Sequence, residues 1–317
     1  MLSAMEPSHP QSDRALIALF GYYNQGNFGD DLMAVMIAKY LSGAGYKVRV
    51  FGISDEDAND FALQHTSVLA DLLDDVSAVV VGGGGLLCRR RYSQQSAQYQ
   101  KHLATMLDHC ERTHIPVMGV SLGGSGQIQL ADWQQPALRL VKQAEFCTFR
   151  NEEDLRIART CGRNDFGWHP DLVWLTSYFF PMPKDSGGDK PTIGVNVVGA
   201  AYGRRVHWIL PRTLEFQTTA DVVYVDTTNR QEARLSGRRT DRSVPHATCY
   251  RFSGLRRDLS FLSRMELFIT NRLHAGMATM SYGGSMISFF GYGKTRLALK
   301  TVGRSSNHIG YLTLPHF

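Results

Sequence analysis

Short apolar runs alternate with longer stretches whose apolar residues recur every three or four positions, the pattern of βαβ units in a parallel sheet. Ala15 to Tyr22 predicts a strand, Asp31 to Gly43 a helix with Leu32, Val35, Met36 and Leu41 on one side, and Tyr46 to Ile53 a second strand. Gly43 and Gly45 stop that helix. Val76 to Val81 predicts a strand feeding a turn at Gly82 to Gly85, followed by a long helix over Ser93 to Arg112. Pro116 to Leu122 predicts a strand ending in Gly123-Gly124, Pro136 to Ala144 a helix, Phe146 to Arg150 a short strand and Asn151 to Cys161 its helix.

Around Pro181 to Lys190 the pattern gives way to Pro, Gly and charge, the best linker in the chain. The alternation then restarts, with strands at Thr192 to Val198, Val222 to Asp226, Thr248 to Phe252, Glu266 to Thr270 and Ser285 to Phe290, and helices near Leu255 to Arg264 and His274 to Tyr282. A chain of 317 residues fits two domains. The expected fold is α/β: two doubly wound, Rossmann-like domains, over residues 1–180 and 181–317, facing each other across a cleft.

Hydrophobic residues make up 43% and charged ones 20% of the chain, an ordinary globular balance. No apolar run approaches the roughly 18 residues of a membrane span. The start, Met1 to Pro10, has neither a basic region nor an apolar core, which argues against a secretion signal and for a cytoplasmic protein. Five scattered cysteines, with no CxxC pair, read as reduced thiols, and no metal-ligand spacing is present. The net charge of +5 hides an asymmetry: residues 1–180 carry 15 Lys+Arg against 20 Asp+Glu (15 − 20 = −5), and residues 181–317 carry 19 against 9 (19 − 9 = +10). Most of those cations fall between Arg204 and Arg264, densest over Arg230 to Arg242. They suit an anionic small molecule or the anionic inner face of a membrane, or form a plain solvated face. Nucleic acid is disfavoured, since no aromatics interleave the cations and no recognition module is visible.

Candidate chemistry sits where strands give way to helices, since ligands of open parallel sheets collect beyond the carboxyl ends of the strands. Between the first strand and helix, Gly26 and Gly29 permit close approach, Asn24 and Asn27 offer amide groups, and Asp30 and Asp31 supply carboxylates. One of that acidic pair could cap the helix; the other could orient sugar hydroxyls. Gly82 to Gly85 implies that something approaches closely, either the Gly123-Gly124 turn or a ligand in the cleft; Ser121 and Ser125 are weaker hydroxyl candidates. Arg150, at the end of an apolar strand, calls for an anionic partner, while Glu152, Glu153 and Asp154 suit the first turn of the next helix. His169 and Asp171 flank Pro170 in an extended turn, where Asp171 could cap the segment after it. Asn271, Arg272 and His274 form a polar turn before a small-residue helix, a natural anion site, or else an Arg capping a loop carbonyl beside a packed His. Lys294 adds one more cation at a strand end.

In their order along the chain, Gly26-Asn-Phe-Gly-Asp-Asp31, Val81-Gly-Gly-Gly-Gly85, Gly119-Val-Ser-Leu-Gly-Gly124, Phe149-Arg150, His169-Pro-Asp171, Thr270-Asn-Arg-Leu-His-Ala275 and Gly291-Tyr-Gly-Lys294 resemble the polysaccharide pyruvyltransferase family, over about residues 16–300. The resemblance implies a GT-B-like fold and a pyruvyl group transferred from phosphoenolpyruvate onto two hydroxyls of a sugar, free or lipid-linked, in a bacterial exopolysaccharide. No cofactor and no metal is implied beyond phosphoenolpyruvate as donor substrate. By the same resemblance, the family's donor-binding Arg and its Arg-Leu-His motif carry over onto Arg150, Arg272 and His274, with Leu273 between the last two; Asn271, Asn27, Gly84, Gly85 and Lys294 are further substrate-binding candidates. His274 then moves protons, as a group titrating near neutrality can, and Asp31, with Asp30 as the alternative, activates the acceptor hydroxyl. Arg150-Asn151 departs from the family's usual Arg-Asp, and Pro170-Asp-Leu172 from its Asp-Pro-Ala. Two other readings stay open: a sugar-nucleotide glycosyltransferase of the same architecture, and a non-catalytic member.

Overall fold

Two parallel sheets organise the chain. The computed structural model describes residues 14–89, 93–124, 130–182, 190–196, 219–227, 248–289 and 293–309. The first sheet contains β1 (Leu16–Phe20), β2 (Lys47–Phe51), β3 (Gln64–Thr66), β4 (Ala78–Leu87), β5 (Val117–Gly124), β6 (Phe146–Phe149) and β7 (Gly167–Trp168), in the spatial order β3-β2-β1-β4-β5-β6-β7. Its helices are α1 (Phe28–Gly43), α2 (Asp55–Asp60), α3 (Leu69–Leu73), α4 (Gln94–Thr113), α5 (Gln135–Gln143), α6 (Leu155–Thr160) and α7 (Thr176–Phe179). The second sheet contains β8 (Thr192–Asn196), β9 (Asp221–Asp226), β10 (Thr248–Arg251), β11 (Leu267–Thr270), β12 (Ser285–Phe289) and β13 (His308–Ile309), in the order β10-β9-β8-β11-β12-β13. With it come α8 (Leu255–Leu262), α9 (Leu273–Ser281) and α10 (Gly293–Thr301). Strand order reverses between β1 and β4 and again between β8 and β11, and such switch points open crevices for ligands.

The alternation along the chain identifies most of these elements. The pieces it does not predict are β3, β7, β13, α2, α3 and α7, which span too few residues for a period to show, and the 9-residue α10 after the last expected strand. The stretch between Pro181 and Lys190 lies largely outside the described residues, as does the cation-dense Arg230 to Arg242. All five cysteines are free. Among the described residues no helix is long and apolar enough to cross a membrane.

Two differences from the sequence pattern matter for the site. The first helix begins at Phe28, with Asn27 at its N-cap, so Asp30 and Asp31 lie inside its first turn and neither caps it. Secondly, Gly82 to Gly85 and Gly123-Gly124 are not turns but parts of β4 and β5, which pair with a register shift. What comes close to the first run is helix α1. A Cβ on Gly82 would stand 2.7 Å from Ile37, on Gly83 2.7 Å from Met33, and on Gly84 2.4 Å from Asp30. Positions 30, 33 and 37 form one face of α1, so the glycines are the groove into which that face packs.

Every residue of α1 from Gly29 to Ala38 is buried, as expected of a helix with apolar residues all round. Leu32, Met33 and Met36 share one core with Leu259 and Leu262 of α8 and with Met277 of α9, so the apolar core runs from the first sheet into the second half. A second core, around Phe20, Leu103 and Phe149, covers the opposite face of the first sheet. Gly83→Ala adds a methyl against Met33 at a φ of +73°, where an L residue is strained; chemical denaturation should show a loss of about 2–4 kcal/mol.

Candidate active site

Arg150, Asp171 and His274 come from three separate segments and meet in a nearly dry centre. Arg150 follows β6, Asp171 precedes the single 3₁₀ turn Leu172–Leu175, and His274 is the second residue of α9. Their exposures are 5%, 3% and 5%. Arg150 Nη1 lies 3.2 Å from Asp171 Oδ2 and 3.3 Å from His274 Nε2, and that nitrogen is 3.5 Å from the same carboxylate oxygen. A neutral ring accepts from Arg150 at Nε2; a ring protonated there donates toward Asp171 instead. Burial alone would raise the Asp171 carboxyl, but the hydrogen bond and charge of His274 and the charge of Arg150 overcome it and hold the group well below the usual range. Burial likewise works against the Arg150 cation, and the surrounding groups, Asp171 first with Asp30 and Asp154 behind it, together more than offset it. Asp171 Oδ1 accepts from the Val173 N–H at 3.1 Å, which is the capping role the sequence suggests and which also fixes the carboxylate. Arg150 Nη2 is buried without a hydrogen-bond partner among the described residues.

Glycine makes room for both ends of this centre. A Cβ on Gly123 would stand 1.8 Å from Arg150 Nε, and one on Gly29 1.8 Å from His274 Nδ1. Gly124 donates its N–H to Asp154 at 2.6 Å, and Asn151 also donates to that carboxylate, so Asp154 ties the segment after Arg150 to the end of β5.

Asp30 and Asp31 diverge although adjacent. Asp30 is fully buried against Gly84; its Oδ2 accepts from Asn27 Nδ2 at 2.6 Å, and its Oδ1 has no partner among the described residues. Its charge also supports the Arg150 cation. Asp31 accepts from the Asn24 N–H at 2.5 Å and lines a cleft of about 610 Å³ that contains neither Arg150 nor His274. Burial, with smaller contributions from Asp30 and Asp57, pushes the Asp31 carboxyl up to about 8.

At the second switch point Asn196, fully buried at the end of β8, donates to the Val225 carbonyl at 2.6 Å, and Thr270 Oγ1 accepts from the Arg272 N–H at 2.8 Å. That turn places half-buried Arg272 just before α9, with buried Asn271 beside it. The Leu273 side chain joins the apolar core, leaving its backbone as the part a ligand could meet. Gly85 lies within β4, and Lys294 in the first turn of α10, after the strand next to β11. His169 is exposed, Ser121 holds a buried hydroxyl without a partner among the described residues, and Ser125, Gly291 and Tyr292 lie outside them. Asp171 is the member of the centre that sequence reasoning undervalued: the His-Pro-Asp motif marks it, but only tertiary structure pairs it with Arg150. Among the described residues no group of three or more His, Cys, Asp or Glu could hold a metal ion.

A family model of polysaccharide pyruvyl transferases matches residues 27–293. The chain belongs to that family. The match takes in both carboxylates of α1, Arg150, Asp171, Arg272 and His274, and Lys294 falls one residue beyond it. No curated protein matches the chain along its sequence. Solved structures do match its fold, which is GT-B. UDP-GlcNAc 2-epimerase from Methanocaldococcus jannaschii shares 10% identity at a TM-score of 0.60, over 93% of this chain and 88% of the epimerase. UDP-GlcNAc 2-epimerase from Neisseria meningitidis, bound to UDP-GlcNAc, shares 9% at 0.54, over 92% and 90%. An alpha-glucosyltransferase in complex with UDP and DNA shares 7% at 0.51, over 87% and 80%.

The raised Asp31 carboxyl gives a signed prediction. Unfolded, this group titrates near about 3.9; folded, it titrates at about 8. Between those values the unfolded chain has released a proton that the folded one retains, so stability falls as pH rises through that window. Urea unfolding of wild type and Asp31→Asn at pH 5 and pH 8.5 should show the variant gaining on wild type by a few kcal/mol at the higher pH.

Proposed function

We propose that the protein transfers the pyruvyl group of phosphoenolpyruvate to two hydroxyls of one sugar, forming a cyclic ketal and releasing phosphate. The observation that carries this reading is the buried Arg150–Asp171–His274 centre, set between the two sheets beside Arg272, within a chain of the polysaccharide pyruvyl transferase family. Phosphoenolpyruvate presents a phosphate and a carboxylate, both of which guanidinium groups bind through paired, charge-assisted hydrogen bonds. Arg150 has an unpaired donor for one of them, and Arg272 enters from the other sheet at the N-terminus of α9, where anions are favoured.

In this mechanism the donor's CH₂ carbon takes a proton from His274, whose Nε2 stands between Arg150 and Asp171. Asp171 stays ionised and stabilises the imidazolium between turnovers. Positive charge develops at C2, and the first sugar hydroxyl adds there as Asp31 accepts its proton. The C2–O bond to phosphate breaks, the arginines neutralise the departing group, and a second hydroxyl of the same sugar closes the ketal. Two hydroxyl protons are released; one equals the proton now in the methyl group, and the other leaves with phosphate. A carboxyl that titrates at about 8 is a competent base for the first hydroxyl.

The rival is a nucleotide-sugar reaction, favoured by the UDP-GlcNAc bound to one structural neighbour and the UDP bound to another. It fits poorly with two carboxylates in the first turn of α1, where a diphosphate would meet them. Thermal-shift measurements should show stabilisation by phosphoenolpyruvate and none by UDP-sugars. Arg272→Ala and His274→Ala should keep the wild-type circular dichroism while phosphate release from phosphoenolpyruvate falls at least about 100-fold. Arg150 is a poorer test, since breaking its buried ion pair costs about 3–5 kcal/mol of stability. Full activity in either variant, or stabilisation by UDP-sugar alone, would remove the proposal.

A further inference from the structure

The cleft beside Asp31 is built from the C-terminal ends of β1, β2 and β3 in the first sheet and of β9 and β10 in the second, where an α/β ligand belongs. Its volume, about 610 Å³, suits a small molecule. Thr227, directly after β9, is only 6% exposed, and its hydroxyl has no hydrogen-bond partner among the described residues although it sits in the cleft wall. Leaving such a group unsatisfied is costly, so a hydroxyl held there points to a partner that arrives with a ligand. Nearby, the rings of Phe28 and Phe252 meet edge to face at 5.1 Å and give the wall an apolar panel.

The charge of the lining restricts what can enter. Among the described residues the wall contains five carboxylates and no Lys or Arg. One of them, Asp57, is already engaged: its Oδ1 accepts from the Leu255 N–H at 2.9 Å, tying α2 to the first turn of α8 in the other half. Asp55 and Glu56 stand exposed at the rim, Asp55 next to His65 at 2.9 Å. Burial pushes the Asp258 carboxyl up to about 7, with a small contribution from Asp57.

We propose that this cleft holds one uncharged hexosyl unit of the acceptor, with the Thr227 hydroxyl bonded to a sugar hydroxyl, and that the Asp55–Glu56 rim rejects a uronic acid in its place. The proposal deepens the pyruvyl-transfer reading and rests on it for the word acceptor: Asp31, which that reading makes the base for the acceptor hydroxyl, lines this cleft.

The test uses the full-length protein and saturation-transfer NMR titration of the methyl pyranosides of glucose, galactose and mannose against their methyl uronides. At least one hexoside should bind about tenfold more tightly than its uronide, the size of effect that one like-charge contact gives. Thr227→Val should weaken that hexoside about five- to tenfold without lowering the melting temperature, because it also removes an unsatisfied buried hydroxyl; Thr227→Ser should bind as wild type does. The double variant Asp55→Asn/Glu56→Gln should bring the uronide to within about threefold of the hexoside. Equal binding of hexoside and uronide, no binding of any hexoside, or unchanged binding by Thr227→Val would overturn the proposal. Phosphoenolpyruvate stabilisation is measured on the same samples. A hexoside that binds while phosphoenolpyruvate does not refutes pyruvyl transfer and leaves the cleft assignment standing; the reverse refutes only the cleft.

Discussion

The contact between Gly29 and His274 is the constraint on which the rest of the site depends. The first turns of α1 and α9, one from each half of the chain, come so close there that a side-chain carbon on residue 29 would overlap the imidazole. Only glycine leaves space, and the groove of Gly82 to Gly84 fixes α1 from its other side. Because α1 and α9 are buried in one core, the position of His274 relative to Arg150 is set by packing of whole helices rather than by a flexible loop. That packing holds the imidazole 3.3 Å from Arg150 and 3.5 Å from Asp171.

Adjacent positions on a helix point about 100° apart, and α1 uses that angle to serve two environments. Asp30 turns to Gly84 and the Arg150 side; Asp31 turns to Asn24 and the cleft. Asp30 faces Gly84 of β4 and supports Arg150, which follows β6 and meets His274 beyond β11; around Asp31 are ends of β1, β2, β3, β9 and β10, which carry carboxylates and hydroxyls. The electrostatic division therefore runs through both sheets at their switch points and does not follow the boundary between the halves. An anionic donor and an uncharged acceptor would be sorted by such a field before any specific contact forms.

The strand-turn-helix segment around Asn271 to His274 is legible in the sequence because its signal is local: an apolar run, polar residues, then small residues. Arg150 is legible for a similar reason, as a cation at the end of an apolar strand. For Gly82 to Gly84 the sequence shows that something comes close but not what, since the cause of their presence, the Asp30-Met33-Ile37 face of α1, lies far away along the chain. Asp171 shows both sides. Its cap on Val173 is a local feature that the sequence suggests, whereas its ion pair with Arg150 exists only in three dimensions. Thr227 and the acids of α2 belong to no motif at all, and only the cleft that they line gives them meaning.

Pyruvyl transfer is tested most directly by the fate of solvent hydrogen in the product. The enzyme is incubated in D₂O with phosphoenolpyruvate and a panel of synthetic or lipid-linked oligosaccharides, and product mass and phosphate are followed together. An acceptor should gain the mass of pyruvic acid less one water, with one deuterium in the new methyl group and one phosphate released per ketal. Phosphate release without a gain in acceptor mass, a methyl group without solvent deuterium, or transfer of an intact hexosyl group from a UDP-sugar would contradict the mechanism.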